Sequence, residues 1–140
     1  MKHKATLASV LILIIGSISC NSQITKKDGE LKTGSLNVTV YYFHFTRRCA
    51  TCMSVEQNAR KAVETLYALE LKTGEYSFKA LNLDEDDTKE IAKNLGVGGQ
   101  TLLVVRGDKK IDITDKGFLN ANNPEKMKEE IRSAVDKVLF

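Results

Sequence analysis

Ten residues, Leu36-Asn37-Val38-Thr39-Val40-Tyr41-Tyr42-Phe43-His44-Phe45, limit the fold more tightly than any other stretch of this chain. The run is β-branched and aromatic, and toward its end it is almost wholly apolar. It has no clean alternation that would leave one face wet. Such a strand is buried on both faces, at the centre of a sheet covered by helices on each side. Thr46-Arg47-Arg48 interrupts the run, and Cys49-Ala50-Thr51-Cys52 follows at once.

The rest of the chain supplies the helices that such a strand needs. Val55, Ala59, Ala62, Val63, Leu66 and Leu69 recur at helical spacing, an amphipathic stripe that Gly74 is placed to end. Phe78–Leu83 reads as a second strand. Asp84 is placed to cap a helix whose Asp86 and Asp87 sit near its positive N-terminal end, whose Ile91, Ala92 and Leu95 face the core, and which Gly96 stops. The acidic run Asp84–Asp87 lacks the spaced ligands and terminal glutamate of a calcium loop, and reads as a solvated helix start. Thr101–Val105, a turn at Arg106–Lys109 and Lys110–Thr114 form a hairpin whose second arm alternates like an edge strand. Asn123 and Pro124 start a last helix with Met127, Ile131, Ala134, Val135 and Val138 inward. The order β-α-β-α-β-β-α implies an α/β three-layer sandwich with a mixed central sheet. Right-handed crossovers place Cys49 and Cys52 at one end of that sheet, where the first helix begins.

A chain of 140 residues has room for one such domain. Its 42% apolar and 28% charged residues are those of a globular protein. Two of the 21 Lys and Arg, Lys2 and Lys4, lie in the first residues, leaving 19 against 18 acidic ones. A near-neutral body gives no electrostatic case for nucleic acid. The first residues read as an export leader: a positive start at Lys2-His3-Lys4, an apolar run over Leu7–Ile15, and small residues before Cys20. That run is well short of the roughly 20 apolar residues of a membrane span. A plain secretory signal with an incidental cysteine is one reading. The other resembles a bacterial lipoprotein signal, with Ser19 before a lipidated Cys20, although Ser17 stands where leucine is usual. On this second reading, residues 1–19 are the signal peptide and residues 20–35 a lipid-anchored flexible tether. Residues 36–140 are the domain, lodged in the bacterial cell envelope and facing the periplasm. The domain then keeps two cysteines three apart, which in an exported protein are redox partners more often than leftovers.

Over nearly all of Leu36–Phe140 the chain resembles the thioredoxin-like superfamily. The Cys-x-x-Cys opens the first helix, Leu81-Asn82-Leu83-Asp84 resembles the second-strand segment, and Leu95-Gly96-Val97 followed by Thr101-Leu102-Leu103 resembles the approach to the third. Free N–H groups and the helix dipole favour a thiolate at Cys49, and Arg47 and Arg48 add positive charge beside it. The resemblance makes Cys49 the nucleophile and Cys52 the resolving thiol. It implies a thiol-disulfide oxidoreductase without a cofactor, acting on a protein thiol or disulfide partner or on a small thiophilic substrate. Other readings of the pair remain. A structural disulfide would close a tiny loop and gain little. Zinc normally takes four ligands, and the domain adds only His44. A soft metal or metalloid held by two thiolates fits the ligand chemistry better. A redox-inert scaffold is a further alternative.

The sequence also departs from the family. Gln100 stands where a cis-proline usually precedes the threonine of the third strand, in Val97-Gly98-Gly99-Gln100-Thr101. A trans peptide is expected there, because a cis bond before a non-proline residue costs about 3–4 kcal/mol. Gly99, Gln100 and Thr101 then form a substrate loop that admits close backbone approach. The aromatic residue usual before the first cysteine is replaced by Arg48, and the acid common on the first strand is missing. His44 reads as a satisfied interior imidazole, or as a proton acceptor for the buried thiol. Met53, Tyr41, Tyr42, Phe43 and Phe45 read as core and pocket wall. The segment Phe43–Cys52 further resembles a group of small bacterial thioredoxin-like proteins labelled nitrophenyl-compound nitroreductase subunit and associated with arsenical resistance. Nothing in the chain resembles a flavin site.

Overall fold

A computed structural model describes residues 36–140. The leader, Cys20 and the tether lie outside them.

The apolar run forms strand β1 (Val38–His44), and it occupies the interior of a four-stranded sheet in the order β2-β1-β3-β4. β2 (Tyr76–Asn82) lies parallel to it, with Val38 beside Tyr76 and His44 beside Asn82. β3 (Thr101–Arg106) runs antiparallel on its other side, and β4 (Lys109–Asp112) is the edge strand beyond β3. Every residue of β1 except Thr39 is buried, as its composition demands.

Alternate residues of β1 feed two separate cores. Val38, Val40 and Tyr42 pack under helices α1 (Ala50–Leu66) and α5 (Pro124–Leu139), against Val55, Ala59, Val63, Met127, Ile131 and Val135. Tyr41 and Phe43 point to the opposite face, where α3 (Asp86–Leu95) brings Ala92 and Leu95. The expected three-layer α/β sandwich with a mixed central sheet is what the chain adopts. Asn123 caps α5 as read, its Oδ1 accepting the Lys126 N–H at 3.1 Å.

Four local readings change. The first helix does not run unbroken to Gly74. Tyr67 leaves the helical region (φ −131°, ψ 40°), and a short α2 (Ala68–Thr73) follows before Gly74 closes it in the left-handed conformation. The bend turns Leu69 outward, so it is exposed instead of completing the stripe. Asp84 does not cap α3. That position falls to Glu85, which makes no side-chain cap bond, because the Asp84 carboxylate is occupied by the loop after β1. β2 begins at Tyr76, two residues before Phe78.

The fourth change is an added helix, α4 (Thr114–Leu119), which takes Thr114 from the end of the expected arm Lys110–Thr114 and lies where the sequence has no apolar period. Its position is set from outside the helix. Asp112 Oδ1 accepts both the N–H and the hydroxyl of Thr114, which ends β4. The Thr114 hydroxyl oxygen in turn accepts the Leu102 N–H of β3 at 2.9 Å, locking the start of α4 onto the sheet.

Candidate redox site

Two loops are tied together beneath the cysteines. The chain leaves β1 at His44, whose carbonyl accepts the Leu83 N–H at 2.7 Å. Two residues on, the Thr46 N–H donates to Asp84 Oδ2 at 2.8 Å, and the Thr46 hydroxyl oxygen accepts from Asn82 Nδ2 at 3.0 Å. The N–H bond from Thr46, more than any other interaction, holds the Asp84 carboxyl below its usual range. Thr46 is thereby fixed three residues before Cys49.

Cys49 is the N-cap of α1, in extended conformation (φ −82°, ψ 166°). Its Sγ accepts the Cys52 N–H at 3.3 Å, a role usually filled by a serine, threonine or aspartate oxygen. Its carbonyl accepts the Met53 N–H at 3.1 Å, the first turn of the helix. Both cysteines are free thiols, Cys49 exposed and Cys52 buried. A hydrogen bond from Cys49 holds the Cys52 thiol below its ordinary range, against a desolvation that pushes the other way. Two sulfurs in such contact share their first ionisation, so the readily lost proton belongs to the pair.

Beneath Cys52 lies a closed ring of polar contacts. Cys52 Sγ meets Gln100 Oε1 at 3.8 Å, Gln100 Nε2 donates to the Tyr42 hydroxyl oxygen at 2.8 Å, and the Tyr42 hydroxyl donates to the Cys52 carbonyl at 2.9 Å. Burial pushes the Tyr42 phenol up to about 12. The Gln100 peptide is trans, as are all described bonds. Of the other loop residues, Thr101 donates its hydroxyl to the Gly99 carbonyl at 2.9 Å. A side-chain carbon added at Gly98 or Gly99 would meet nothing within 4 Å, so the loop is open at both.

The remaining sequence-derived residues distribute as follows. Arg48 pairs with Glu56 of α1, and Glu56 also receives Arg60 at 3.2 Å, so the charge of Arg48 is already shared with a carboxylate. Arg47 is exposed and makes no ion pair among the described residues. His44 is buried, with Nδ1 3.0 Å from the Phe45 carbonyl and its ring 5.9 Å from that of Tyr42. Tyr41, Tyr42 and Phe43 are core residues, but Phe45 and Met53 are 42% and 52% exposed and do not belong to the wall of a buried pocket. Phe45 lies past the end of β1, and Met53 falls on the outer side of α1 next to Cys52. Among the described residues no three His, Cys, Asp or Glu side chains are placed to hold a metal ion together.

Three contributors were not singled out for the site by the sequence: the Tyr42 hydroxyl, Glu56 and the Thr46–Asn82–Asp84 clasp. Glu56 carried a signal, since it lies four residues after Cys52 and so on the same helix face. The other two depend on contacts between elements, which spacing along the chain does not reveal.

No family model matches the sequence, and no curated protein matches it. Among solved structures, the chain is similar to one described as that of a malarial protein, at 14% identity and a TM-score of 0.45, covering 67% of this chain and 96% of that one. It is also similar to the thioredoxin of Fasciola hepatica, at 19% identity and a TM-score of 0.39, covering 72% of this chain and 84% of that one. Likeness at these scores adds nothing to the strand order and connections described above.

Proposed function

We propose that this domain is a thiol-disulfide oxidoreductase that cycles Cys49 and Cys52, carried in the bacterial cell envelope on a lipid at Cys20. The observation that supports it best is the asymmetry of the pair: an exposed sulfur at the helix N-terminus, which accepts the Cys52 N–H, and a buried one a turn later. The N-terminal position favours negative charge on sulfur. Accessibility decides which sulfur a bulky disulfide meets, and that is Cys49.

In the reducing direction, Cys49 as thiolate attacks one sulfur of a substrate disulfide. The substrate S–S bond breaks, and the departing sulfur leaves as a thiolate that takes a proton from water. Cys52 then loses its proton to water and attacks Cys49 Sγ. The bond between Cys49 and the substrate breaks, and the second substrate sulfur leaves and is protonated. Two electrons pass: the protein dithiol becomes a disulfide and the substrate disulfide becomes two thiols. The reverse sequence oxidises a substrate dithiol. The substrate is a protein thiol or disulfide partner, or a small thiophilic compound.

Equilibration of the protein with thiol redox buffers tests this reading. A single two-electron transition is expected between about −120 and −300 mV, the span of known thiol oxidants and reductants. It should vanish in Cys49→Ser and in Cys52→Ser. Cys52→Ser should also accumulate mixed disulfides through Cys49. A wild-type protein with no transition in that span, or mixed disulfides trapped on Cys52 instead, would overturn it.

A further inference from the structure

The ring beneath Cys52 leaves no freedom in how its members face each other. The Tyr42 hydroxyl has one hydrogen, and it goes to the Cys52 carbonyl. Its oxygen can therefore only accept from Gln100, which obliges Nε2 to face Tyr42 and Oε1 to face Cys52 Sγ. The buried thiol is thus offered an acceptor, which suits S–H.

That arrangement raises a question for the resolving step, in which the proton leaves and the sulfur becomes an acceptor. A carboxylate oxygen in the place of Oε1 would then repel it. An amide need not, because rotation about its last torsion exchanges oxygen for nitrogen. Nε2 would donate to the Cys52 sulfur, and Oε1 would accept the Tyr42 hydroxyl, which swings away from the Cys52 carbonyl. Both ends of the amide then have a partner in either state, and the only bond given up is the one from the Tyr42 hydroxyl to the Cys52 carbonyl.

We propose that Gln100, held by Tyr42, is a positioning residue for the resolving step: its carboxamide follows the proton on Cys52, accepting from the thiol before the step and donating to the sulfur during it. This rests on the oxidoreductase reading above and goes beyond it by assigning the handling of the second thiol. The charged and titratable groups around the ring are Cys49, Arg48 and Glu56, with His44 against the Tyr42 ring. No step requires any of them to take the proton, which passes to water. The covalent change is the one already written: the Cys52–Cys49 bond forms, the Cys49–substrate bond breaks, and the leaving sulfur is protonated.

One equivalent of an aromatic disulfide, 5,5′-dithiobis(2-nitrobenzoate), reports both steps on the reduced full chain carrying Cys20→Ala. Attack by Cys49 releases the first coloured thiolate, and attack by Cys52 on the adduct releases the second. The readout is the ratio of the second rate constant to the first in the same trace. In Gln100→Leu, which keeps the bulk and removes both bonding groups, the ratio should fall about fivefold, the loss of one neutral hydrogen bond of about 1 kcal/mol. In Tyr42→Phe it should fall by about two- to threefold, because the amide stays but is no longer held. In Gln100→Glu the ratio at neutral pH should fall at least as far as in Gln100→Leu, since a carboxylate accepts but cannot donate. A ratio within about twofold of wild type in Gln100→Leu, or no fall at all in Tyr42→Phe, would overturn the proposal. A wild-type protein that gives no second release would overturn the oxidoreductase reading, and this inference with it.

Discussion

Cys49 reaches its place at the start of α1 because Thr46 is held three residues earlier. The Thr46 N–H donates to Asp84, and the hydroxyl oxygen accepts from Asn82, so the loop after β1 cannot lift without breaking both bonds. Asp84→Ala removes the first of them. Hydrogen exchange at the Thr46 amide should then speed up several-fold while amides in the middle of β1 keep their protection, measurable residue by residue by NMR. Unchanged exchange at Thr46 would mean that the clasp does not hold the loop in solution. At the sulfurs, the lowered Cys52 thiol fixes the sign of a pH effect. In the window between its folded value and the ordinary thiol value of about 8.5, the folded dithiol has shed a proton that the unfolded chain retains. The unfolded state then binds more protons, so stability rises with pH through that window and is lost as pH falls through the folded value. The urea midpoint of the reduced protein should therefore climb, as pH rises toward the ordinary thiol value of about 8.5, more steeply than that of Cys52→Ser. Equal slopes in the two proteins would show that the contact with Cys49 does not favour the thiolate.

Among the elements, α4 shows how much of a helix's position can come from its neighbours. Thr114-Asp115-Lys116-Gly117-Phe118-Leu119 carries no apolar period, and Leu119 is fully open to solvent on the far side. What the helix offers the sheet is Gly117, where a side-chain carbon would stand 2.8 Å from Leu102 Cδ2. Leu102 is completely buried in the core beneath α1 and α5, so its side chain must shift within packed surroundings. Gly117→Ala should therefore destabilise the domain by about 1–3 kcal/mol, the usual cost of overfilling a packed core. That would appear as a lower urea midpoint with an unchanged slope. A midpoint equal to wild type would mean that α4 can slide. The contrast with α5 explains what the sequence made legible. All five of its stripe residues are buried and its cap is where Asn123 stands, because period and cap chemistry act within one element. β1 was readable for the same reason, since two-sided burial is written in its composition. Tyr67, Asp84 and Gly117 were not, since a helix bend, a borrowed carboxylate and a close approach each depend on a partner far along the chain. The site divides in the same way. The cysteine spacing and the Gln100 departure stand out in one dimension, whereas the Tyr42 bond to Gln100 exists only once β1 and the loop before β3 have been brought together.

For the whole molecule, the two ends of β1 face opposite tasks. The chain enters the described domain at Leu36, whose carbonyl accepts Arg106 Nε at 3.0 Å, and Asn37 Nδ2 donates to the Gly74 carbonyl at 3.0 Å. Val38 pairs there with Tyr76 and Arg106, the start of β2 and the end of β3. His44 and the loop to Cys49 lie at the other end, a strand length of about 20 Å away. A lipid on Cys20 would thus be joined to the end of the sheet remote from the thiols. Anchoring and chemistry should accordingly separate. Cys20→Ala, expressed in a bacterial host, should lose fatty-acid labelling and move from the membrane to the soluble fraction. Its two-step reaction with an aromatic disulfide should keep the rates of the anchored protein in detergent. A wild-type chain recovered soluble, without lipid and with its N-terminus elsewhere than Cys20, would remove the anchor from the proposal and leave the thiol chemistry standing. A Cys20→Ala protein that is soluble but reacts differently at Cys49 would instead show that the segment before Leu36 reaches the site, contrary to the separation of the two ends of β1.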